Sequence, residues 1–490
     1  MRPYLVTSAL LLLSSCVDTT QKPPPSSRLV YPSGVAFWRP EVTSSTNGFL
    51  YVAGANFDKC YESGAVTALD LDALGLRPFG KDFADAEELA SFPALLTDLK
   101  VDANRSYVRI DSFAGEMTLW TPPGRSPRLF VPTRAEGSYL QVIDVADDGL
   151  GLTCAQSTSN RDCRVNALSL VGVPGANKDG VPGAPAPLGV TVDRFNPDGR
   201  VWVTHTELVG PQSTDVQQSD LQGYLVNLPA AAPTRETLTT SSFVPLGVNG
   251  LLPGAAHSVA IGSRYLYASG RSSATQQLGT LSAAYVLRLV DRTATDRVLE
   301  SDVRSIYSIR EARGVAVVSR PRRDDPTQVD LDRERVYLLA RGPDTLLIID
   351  IEDARADLPT LRVVSAQSLP EGASELEVIP RAAGRGNLVA VTGSGDEAVS
   401  IYDEEVGQLV AQVLVGDQDP AQPSQPYGLT ADVRGNSARL FTTTFGDGRV
   451  AVIDIPNLDR PQDARRVALL GVQQLRDTRQ GTSVCQESSP

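Results

Sequence analysis

Two histidines and several arginines are the side chains of this 490-residue sequence best suited to chemistry. With only His205 and His257 available, a hydrolytic triad is difficult to assemble. Ser258 follows His257 directly, and adjacent residues of a strand point to opposite faces, which argues against a Ser–His pair. No cysteine lies in a CxxC or CxxCH motif, and no glycine-rich phosphate loop is present. We therefore predict no bound cofactor and no metal site.

When the sequence is divided into repeats, several arginines fall at equivalent positions of the repeat. A short apolar segment led by a small residue comes first, a segment such as Leu50–Ala53 follows, and a third segment often ends in Ile-Asp. Turn motifs such as Gly446-Asp447-Gly448 between these segments are typical of β-hairpins. The second segment recurs seven times, beginning at Leu50, Leu129, Val201, Leu266, Val336, Leu388 and Leu440.

Seven such units predict an all-β fold: a seven-bladed β-propeller with four antiparallel strands per blade and loop insertions. The pattern resembles the YVTN family of propeller repeats, with the closest match between Pro426 and Asp454. An insertion over 72–104 is predicted to contain a short helix, Phe83–Ser91. The alternative, a β-sandwich or tandem sandwiches, does not account for the sevenfold repetition.

In a propeller, the loops between second and third strands lie on the same face as the connections between blades, and ligand sites cluster there. Planar guanidinium groups in one structural column can bind a carboxylate, a phosphate or an acidic sugar. The alternative is that these arginines pair with aspartates of the rim. Aligning the repeats gives, as ligand-binding residues of this rim, Arg134, His205, His257, Arg271, Arg313, Arg341 and Tyr427.

An enzyme of the lactonase or sugar-acid hydrolase kind would need carboxylates that converge on the central channel. Glu375 and Glu377 lie in or near the first strand of the sixth blade, and Asp432 lies in that of the seventh. Because the positions that such a site would occupy do not recur clearly, no catalytic residue is predicted.

The first fifteen residues are typical of the signal peptide of a bacterial lipoprotein. Arg2 precedes a short apolar run, and Leu13-Ser14-Ser15-Cys16 resembles a lipobox, which implies cleavage before Cys16 and attachment of lipid to it. An ordinary secretory signal is the alternative. Because the acidic residue Asp18 would be third rather than second in the mature chain, the outer membrane of the cell envelope is favoured. The predicted division is 1–15 signal peptide, 16–27 proline-rich tether, 28–474 propeller and 475–490 C-terminal tail.

Charge and cysteine content narrow the possible partners and cross-links. A net charge of −13 argues against nucleic acid as a partner. Besides Cys16, four cysteines in an exported chain favour two disulfides. Cys154 and Cys163 flank a short polar loop and are predicted to pair across a hairpin. Cys60 and Cys485 are predicted to clip the ring shut, because no strand is expected to be shared between the first and last blades.

These features favour a non-enzymatic binding or scaffold module on the cell envelope. It would be a monomer, held to the membrane by the lipid on Cys16, with a protein, a peptide or a glycan as its ligand. The alternative is a lactonase-like propeller enzyme, which carboxylates and a metal ion meeting at the channel mouth would indicate. A structural part of a larger envelope assembly, marked by a large apolar patch, is a third possibility.

Overall fold

The computed structural model describes residues 22–40, 47–78, 95–99, 101–155, 161–170, 185–193, 195–196, 199–208, 222–248, 251, 254–271, 285–301, 311–325, 327–382, 384–417, 419–420 and 422–473. The signal peptide, Cys16, the predicted helix Phe83–Ser91, Cys485 and the C-terminal tail from 475 onwards lie outside these residues. Within the described part of the chain, no helix is long and apolar enough to cross a membrane.

The strands form seven antiparallel sheets of four strands each, arranged as blades of a ring, which confirms the predicted all-β propeller. Strands of each blade pair in chain order from the channel outwards. The first three blades comprise β1 (Pro32–Trp38), β2 (Phe49–Gly54), β3 (Gly64–Asp70) and β5 (Tyr107–Ile110), with β4 (Leu95–Thr97) in the insertion after β3; then β6 (Thr118–Trp120), β7 (Arg128–Thr133), β8 (Tyr139–Val145), β9 (Leu152–Cys154) and β10 (Leu168–Ser169); then β11 (Pro187–Val192), β12 (Arg200–His205), β13 (Tyr224–Pro229) and β14 (Phe243–Pro245).

The remaining four blades follow the same order. They comprise β15 (Ala255–Ile261), β16 (Tyr265–Arg271), β17 (Leu287–Asp291) and β18 (Val298–Glu300); β19 (Glu311–Pro321), β20 (Val329–Arg341), β21 (Thr345–Glu352) and β22 (Thr360–Ser368); β23 (Ala373–Ile379), β24 (Leu388–Gly393), β25 (Ala398–Asp403) and β26 (Gln408–Leu414); and β27 (Pro426–Arg434), β28 (Ser437–Thr444), β29 (Arg449–Ile455) and β30 (Arg465–Leu470).

The second strands are buried on both faces, which explains their continuous apolar sequences. All residues of β2, β24 and β28 are buried. Successive side chains of a strand point to opposite faces. Leu50 therefore packs with Phe441 of the seventh blade, whereas Tyr51 packs with Leu129 of the second. Each blade thus contributes one face to each of two hydrophobic clusters, and the ring is held together by these shared clusters.

A β-bulge interrupts the inner strand of every blade at the same place. In the fourth blade, Ala256 pairs with Gly270 and Val259 pairs with Ala268, so one extra residue lies on the inner strand. The second blade shows the same offset between its pairs Ala114–Thr133 and Thr118–Phe130. Bulges re-aim side chains and are frequent at barrel rims. In the other blades the bulge contains Ser33, Leu188–Gly189, Arg313–Gly314, Ser374–Glu375 and Tyr427–Gly428.

The first and last blades each contain their own four strands, as expected, but a further strand crosses the seam between them. Strand β4, from the insertion of the first blade, pairs in parallel with β30 and extends the seventh blade to five strands. The buried side chain of Arg439 on β28 reinforces this junction. It donates hydrogen bonds to the Oδ1 atom of Asn47 at 3.0 Å and to the carbonyl oxygen of Arg77 at 2.8 Å.

The disulfide predicted between Cys154 and Cys163 is present. Strands β9 and β10 both pair with β8, so the outer strand of the second blade is divided by the loop that this bond closes. The loop also contacts the first blade, where Asp162 forms an ion pair with Arg109 at 2.8 Å. Cys60 is disulfide-bonded as well. Because Cys485 lies outside the described residues, its pairing with Cys60 stays a prediction.

Candidate functional site

Three bulges bring a histidine and two carboxylates together in the channel. Glu116 lies in the bulge that precedes β6, His257 in that of β15 and Glu375 in that of β23, so the second, fourth and sixth blades each supply one side chain. One carboxylate or imidazole ligand atom from each residue lies within 4.8 Å of the other two. Alternate blades of a ring meet only at its axis, which places this cluster inside the channel.

The hydroxyl group of Ser258 fixes one member of the cluster. It donates a short hydrogen bond to Oε1 of Glu116. The backbone of Glu375 is fixed separately, because its N–H group donates to the hydroxyl oxygen of Thr392 at 3.0 Å. His257 and Ser258 both approach this cluster although they are adjacent in sequence, but no hydrogen bond joins their side chains within the described chain. The bulge between Ala256 and Val259 lets both side chains reach the carboxylates.

The surroundings of the cluster shift the pKa values of all three of its members. Burial raises the pKa of Glu116 to about 7, although hydrogen bonds oppose this. Burial, followed by the negative charge of Glu116, raises the pKa of Glu375 well above its usual range. Both carboxyl groups therefore hold a proton more strongly than an ordinary glutamate does. Burial lowers the pKa of His257 well below its usual value, and the charges of nearby arginines act in the same direction, so the imidazole is neutral.

Four arginines surround the end of the channel at which the inner strands begin. Arg271 and Arg341 end the second strands β16 and β20, Arg134 follows β7, and Arg313 lies in the bulge of β19. The charges of all four lower the pKa of His257. Burial lowers the pKa of Arg134, Arg271 and Arg341. Their guanidinium groups are thus recessed from bulk water.

The hydrogen bonds of these arginines are only partly satisfied by the protein. Glu311 forms ion pairs with Arg313 at 3.1 Å and with Arg271 at 3.6 Å. Arg341 donates a hydrogen bond to the carbonyl oxygen of Ala373 at 2.7 Å. It also donates to the carbonyl oxygen of Gly372 and to the hydroxyl oxygen of Ser374, at the start of β23. Within the described part of the chain, the buried Nη1 atom of Arg134 and the buried Nε atom of Arg313 have no hydrogen-bond partner.

The other residues predicted for the rim differ in their surroundings. Tyr427 occupies the bulge of β27, and its pKa is raised by burial and then by the negative charges of Glu375 and Glu116, so it lies beside the cluster. His205 is fully buried, and its Nδ1 atom lies 3.1 Å from the carbonyl oxygen of Pro185. We therefore assign His205 to the packing of the strand rather than to the channel.

Of the three carboxylates considered for an enzyme, only Glu375 belongs to the cluster. Glu377 lines a second part of the channel, and Asp432 forms ion pairs with Arg39 and Arg434. This second part is a cavity of about 740 Å³ that lies between the inner strands of the first, second, third, sixth and seventh blades. Its lining includes Trp38 and Trp120, near the ends at which those strands leave the channel.

Sequence reasoning missed Glu116. The sequence after β5 contains no clear copy of the apolar inner-strand segment, and β6 is only three residues long. A signal exists nevertheless, because the corresponding bulge position is occupied by Gly34, Gly189, Gly314 and Gly428 in four other blades. Glutamate at this position therefore departs from the repeat.

Comparisons with known proteins do not identify a family for this chain. No known family pattern matches the chain, and no characterised protein is significantly similar to it in sequence. Solved structures that resemble it include Kuenenia stuttgartiensis hydrazine synthase, with 10% identity, a TM-score of 0.45 and coverage of 87% of this chain and 96% of that one. A putative 6-phosphogluconolactonase from Bacteroides fragilis has 14% identity, a TM-score of 0.41 and coverage of 77% and 82%. For apo AztD from Citrobacter koseri these values are 12%, 0.38, 90% and 86%. Likenesses of this degree carry no information about activity or ligand.

Proposed function

We propose that this protein is an envelope lipoprotein whose propeller binds a small anionic molecule at the arginine-lined end of its channel. The observation that carries the proposal is the convergence of four guanidinium groups on one channel in a protein of net charge −13. Recessed guanidinium groups with unsatisfied donors suit carboxylate, phosphate or acidic-sugar oxygens, because charge-assisted hydrogen bonds are strong away from water.

The depth of the site bears on the kind of ligand. Arg134 and Arg313 each have a buried nitrogen atom that lacks a partner within the described chain, so a ligand must enter the channel to reach them. A small anion or the acidic end of a glycan can do so. A folded protein partner would instead contact the outer loops. We therefore favour a small acidic ligand over the protein or peptide also considered from the sequence.

Calorimetric titration of the purified protein with gluconate, glucuronate and inorganic phosphate tests this proposal. Replacing either Arg271 or Arg313 by glutamine should weaken binding about 10-fold or more, because each charged hydrogen bond contributes about 1.5–3 kcal/mol. Arg323→Gln is the matched control, since its side chain is 74% exposed on the β19–β20 hairpin at the opposite face. Unchanged affinity in both channel variants would show that the arginines do not form the site.

The membrane anchor is a separate part of the proposal and rests on the sequence of residues 1–16. If Cys16 carries the lipid, Cys16→Ala should prevent labelling by radioactive palmitate and release the chain from the membrane fraction or leave it unprocessed. The wild-type chain, expressed in the same cells, is the control. Equal labelling of both forms would exclude Cys16 as the lipidation site.

A hydrolase acting on a sugar-acid lactone is the second candidate, and one observation favours it. Glu116 and Glu375 lie together beside His257 and both have raised pKa values, as do carboxyl groups that serve as general acids and bases near neutral pH. In this reaction an ionised carboxylate of the pair would take a proton from water as the water oxygen bonds to the lactone carbonyl carbon. The ring C–O bond would then break, a protonated carboxyl group would give its proton to the leaving oxygen, and the arginines would hold the carboxylate of the hydroxy-acid product. Loss of lactone hydrolysis in Glu375→Gln, with binding of the hydroxy-acid product retained, would support the enzyme over the binding module.

A further inference from the structure

The cluster of Glu116, His257 and Glu375 is unfavourable as it stands. His257 is fully buried, yet neither of its ring nitrogens has a hydrogen-bond partner among the described residues. The Oε1 atom of Glu375 is likewise buried without a partner there. A buried polar group left unsatisfied costs about 1–3 kcal/mol, and two carboxyl groups in contact repel each other when both are ionised. One cation placed among the three side chains would satisfy one ring nitrogen of His257 and the Oε1 atom of Glu375, and it would offset the repulsion between the carboxylates.

We propose that Glu116, Glu375 and His257 are the protein ligands of one divalent transition-metal ion, with Zn²⁺, Mn²⁺ and Co²⁺ as the class of ion. An imidazole nitrogen and two carboxylate oxygens are donors that such ions accept at about 2.0–2.2 Å. Opposite ligands of one ion are thus up to about 4.4 Å apart. Because the three ligand atoms already lie within 4.8 Å of one another, small side-chain rotations bring them to these distances.

The imidazole of His257 suits this role. A metal ion binds imidazole through one ring nitrogen, and neither ring nitrogen of His257 has another partner within the described chain. Three protein ligands leave coordination positions open for water or for another molecule, as in catalytic rather than structural zinc sites. The open positions would face the channel, since the three ligands come from alternate blades around it.

Groups outside the cluster orient its members as in metal sites. Ser258 donates its hydroxyl hydrogen to Glu116, and Thr392 anchors the backbone of Glu375. The N–H group of Glu116 itself donates to the carbonyl oxygen of Leu188 at 2.9 Å. These contacts hold the two glutamates, and the loss of such outer contacts typically changes metal affinity 10–100-fold.

The positive charges of the four arginines disfavour a bound cation nearby, so negative charges must offset them. Glu311 forms ion pairs with two of them, Arg271 and Arg313. The two metal-binding carboxylates neutralise the ion itself. An anion held by the arginines would offset the remaining positive charge, so the proposed anion should raise metal affinity, and the metal should raise anion affinity by the same factor. Metal binding nevertheless does not depend on the anion and can be measured without it.

The test uses the purified full chain after removal of metal by a chelator, titrated with Co²⁺ and Zn²⁺ in buffer without added carboxylate or phosphate. We expect one ion per chain and a Co²⁺ absorption spectrum in the visible range that reports nitrogen and oxygen ligands. His257→Gln and Glu375→Gln should each weaken binding at least 100-fold. Glu377→Gln on the same strand and His205→Gln are matched controls that should keep the wild-type affinity, and circular dichroism establishes that each variant is folded.

Two results would overturn the proposal. One is the absence of a bound ion in the wild-type chain at 1 mM Co²⁺ or Zn²⁺, a measurement that needs no variant. The other is unchanged stoichiometry and spectrum in His257→Gln, which would place the ion elsewhere. Arg313→Gln separates this inference from the proposed function, because it should lose anion binding while it keeps the metal ion. Failure of anion binding alone therefore leaves the metal site standing.

Discussion

Arginine side chains have two different roles in this protein, and their partners distinguish them. Arg439 is 1% exposed, and its guanidinium group donates to both carboxylate oxygens of Asp454, at 2.6 and 2.8 Å. It also reaches two groups of the first blade, Asn47 and Arg77. Arg134, by contrast, keeps a buried nitrogen without a partner in the described chain. A satisfied arginine holds blades together, whereas an unsatisfied one is available to a ligand.

We predict that Arg439→Ala lowers the free energy of unfolding by about 3–5 kcal/mol, because it leaves the buried carboxylate of Asp454 without its counter-charge. Urea denaturation followed by circular dichroism measures the change. Arg460→Ala is the control, since that side chain is 61% exposed and forms an ion pair with Asp463, for which a loss below about 1 kcal/mol is expected. Equal losses in the two variants would mean that the buried pair does not stabilise the seam.

At the scale of elements, the bulge in each inner strand determines which residues line this end of the channel. The bulge adds one residue to the inner strand, and its last residue lies close to the next blade. A Cβ atom added to Gly428 would lie 2.3 Å from the carbonyl oxygen of Ser33 in the first blade. Backbone cannot move away cheaply at that distance, so glycine is required there. The corresponding Glu116 and Glu375 show that a side chain is accepted where the neighbouring blade leaves space.

We predict that Gly428→Ala lowers the free energy of unfolding by about 1–3 kcal/mol, the usual cost of forcing extra volume into a packed interior. Thermal or urea unfolding measures it. Gly393→Ala at the end of β24 is the control, because the nearest atom to its added Cβ would be the carbonyl oxygen of Glu371 at 3.4 Å, an ordinary contact. A stable Gly428→Ala variant would indicate that the seventh and first blades do not approach as closely as described.

The strand pattern was predictable from the sequence, but the bulge was not. Apolar runs such as Leu50–Ala53 are buried on both sides and therefore give a clear signal in each blade. A bulge adds one residue without changing this pattern, so the approach of both His257 and Ser258 to the carboxylates could not be foreseen. Glu116 was missed because the sequence after β5 contains no clear copy of the inner-strand segment, and β4 was missed because its insertion belongs to one blade by sequence and to another by pairing.

For the molecule as a whole, the channel has two dissimilar ends. The bulges bring the cluster of Glu116, His257 and Glu375 to one end, where the four arginines also lie. The cavity of about 740 Å³ with its two tryptophans lies towards the other. Because every inner strand begins at the charged end, the site combines residues that are distant in sequence. It exists only when the ring is closed, so closure of the ring is also a condition for ligand binding.

Closure depends on the junction between the first and seventh blades. Strand β4 and Arg439 already join these blades without a covalent bond. The predicted disulfide between Cys60 and Cys485 would add a cross-link around most of the chain. Chain entropy assigns about 5 kcal/mol to a loop of that size, and this is an upper value because the denatured chain retains structure. The non-covalent contacts of the seam do not replace this contribution, since they are lost on unfolding, whereas a disulfide also restricts the unfolded chain.

We therefore predict that Cys60→Ser lowers the free energy of unfolding by about 2–5 kcal/mol, whereas the double variant of Cys154 and Cys163 to serine loses about 2–3 kcal/mol because its loop is small. Urea denaturation under non-reducing conditions measures both losses, and peptide mapping identifies the partner of Cys60. A tryptic fragment that links Cys60 to the C-terminal peptide would establish the covalent closure of the ring. A Cys60 peptide without that partner would leave β4 and Arg439 as the means by which the first and last blades stay together.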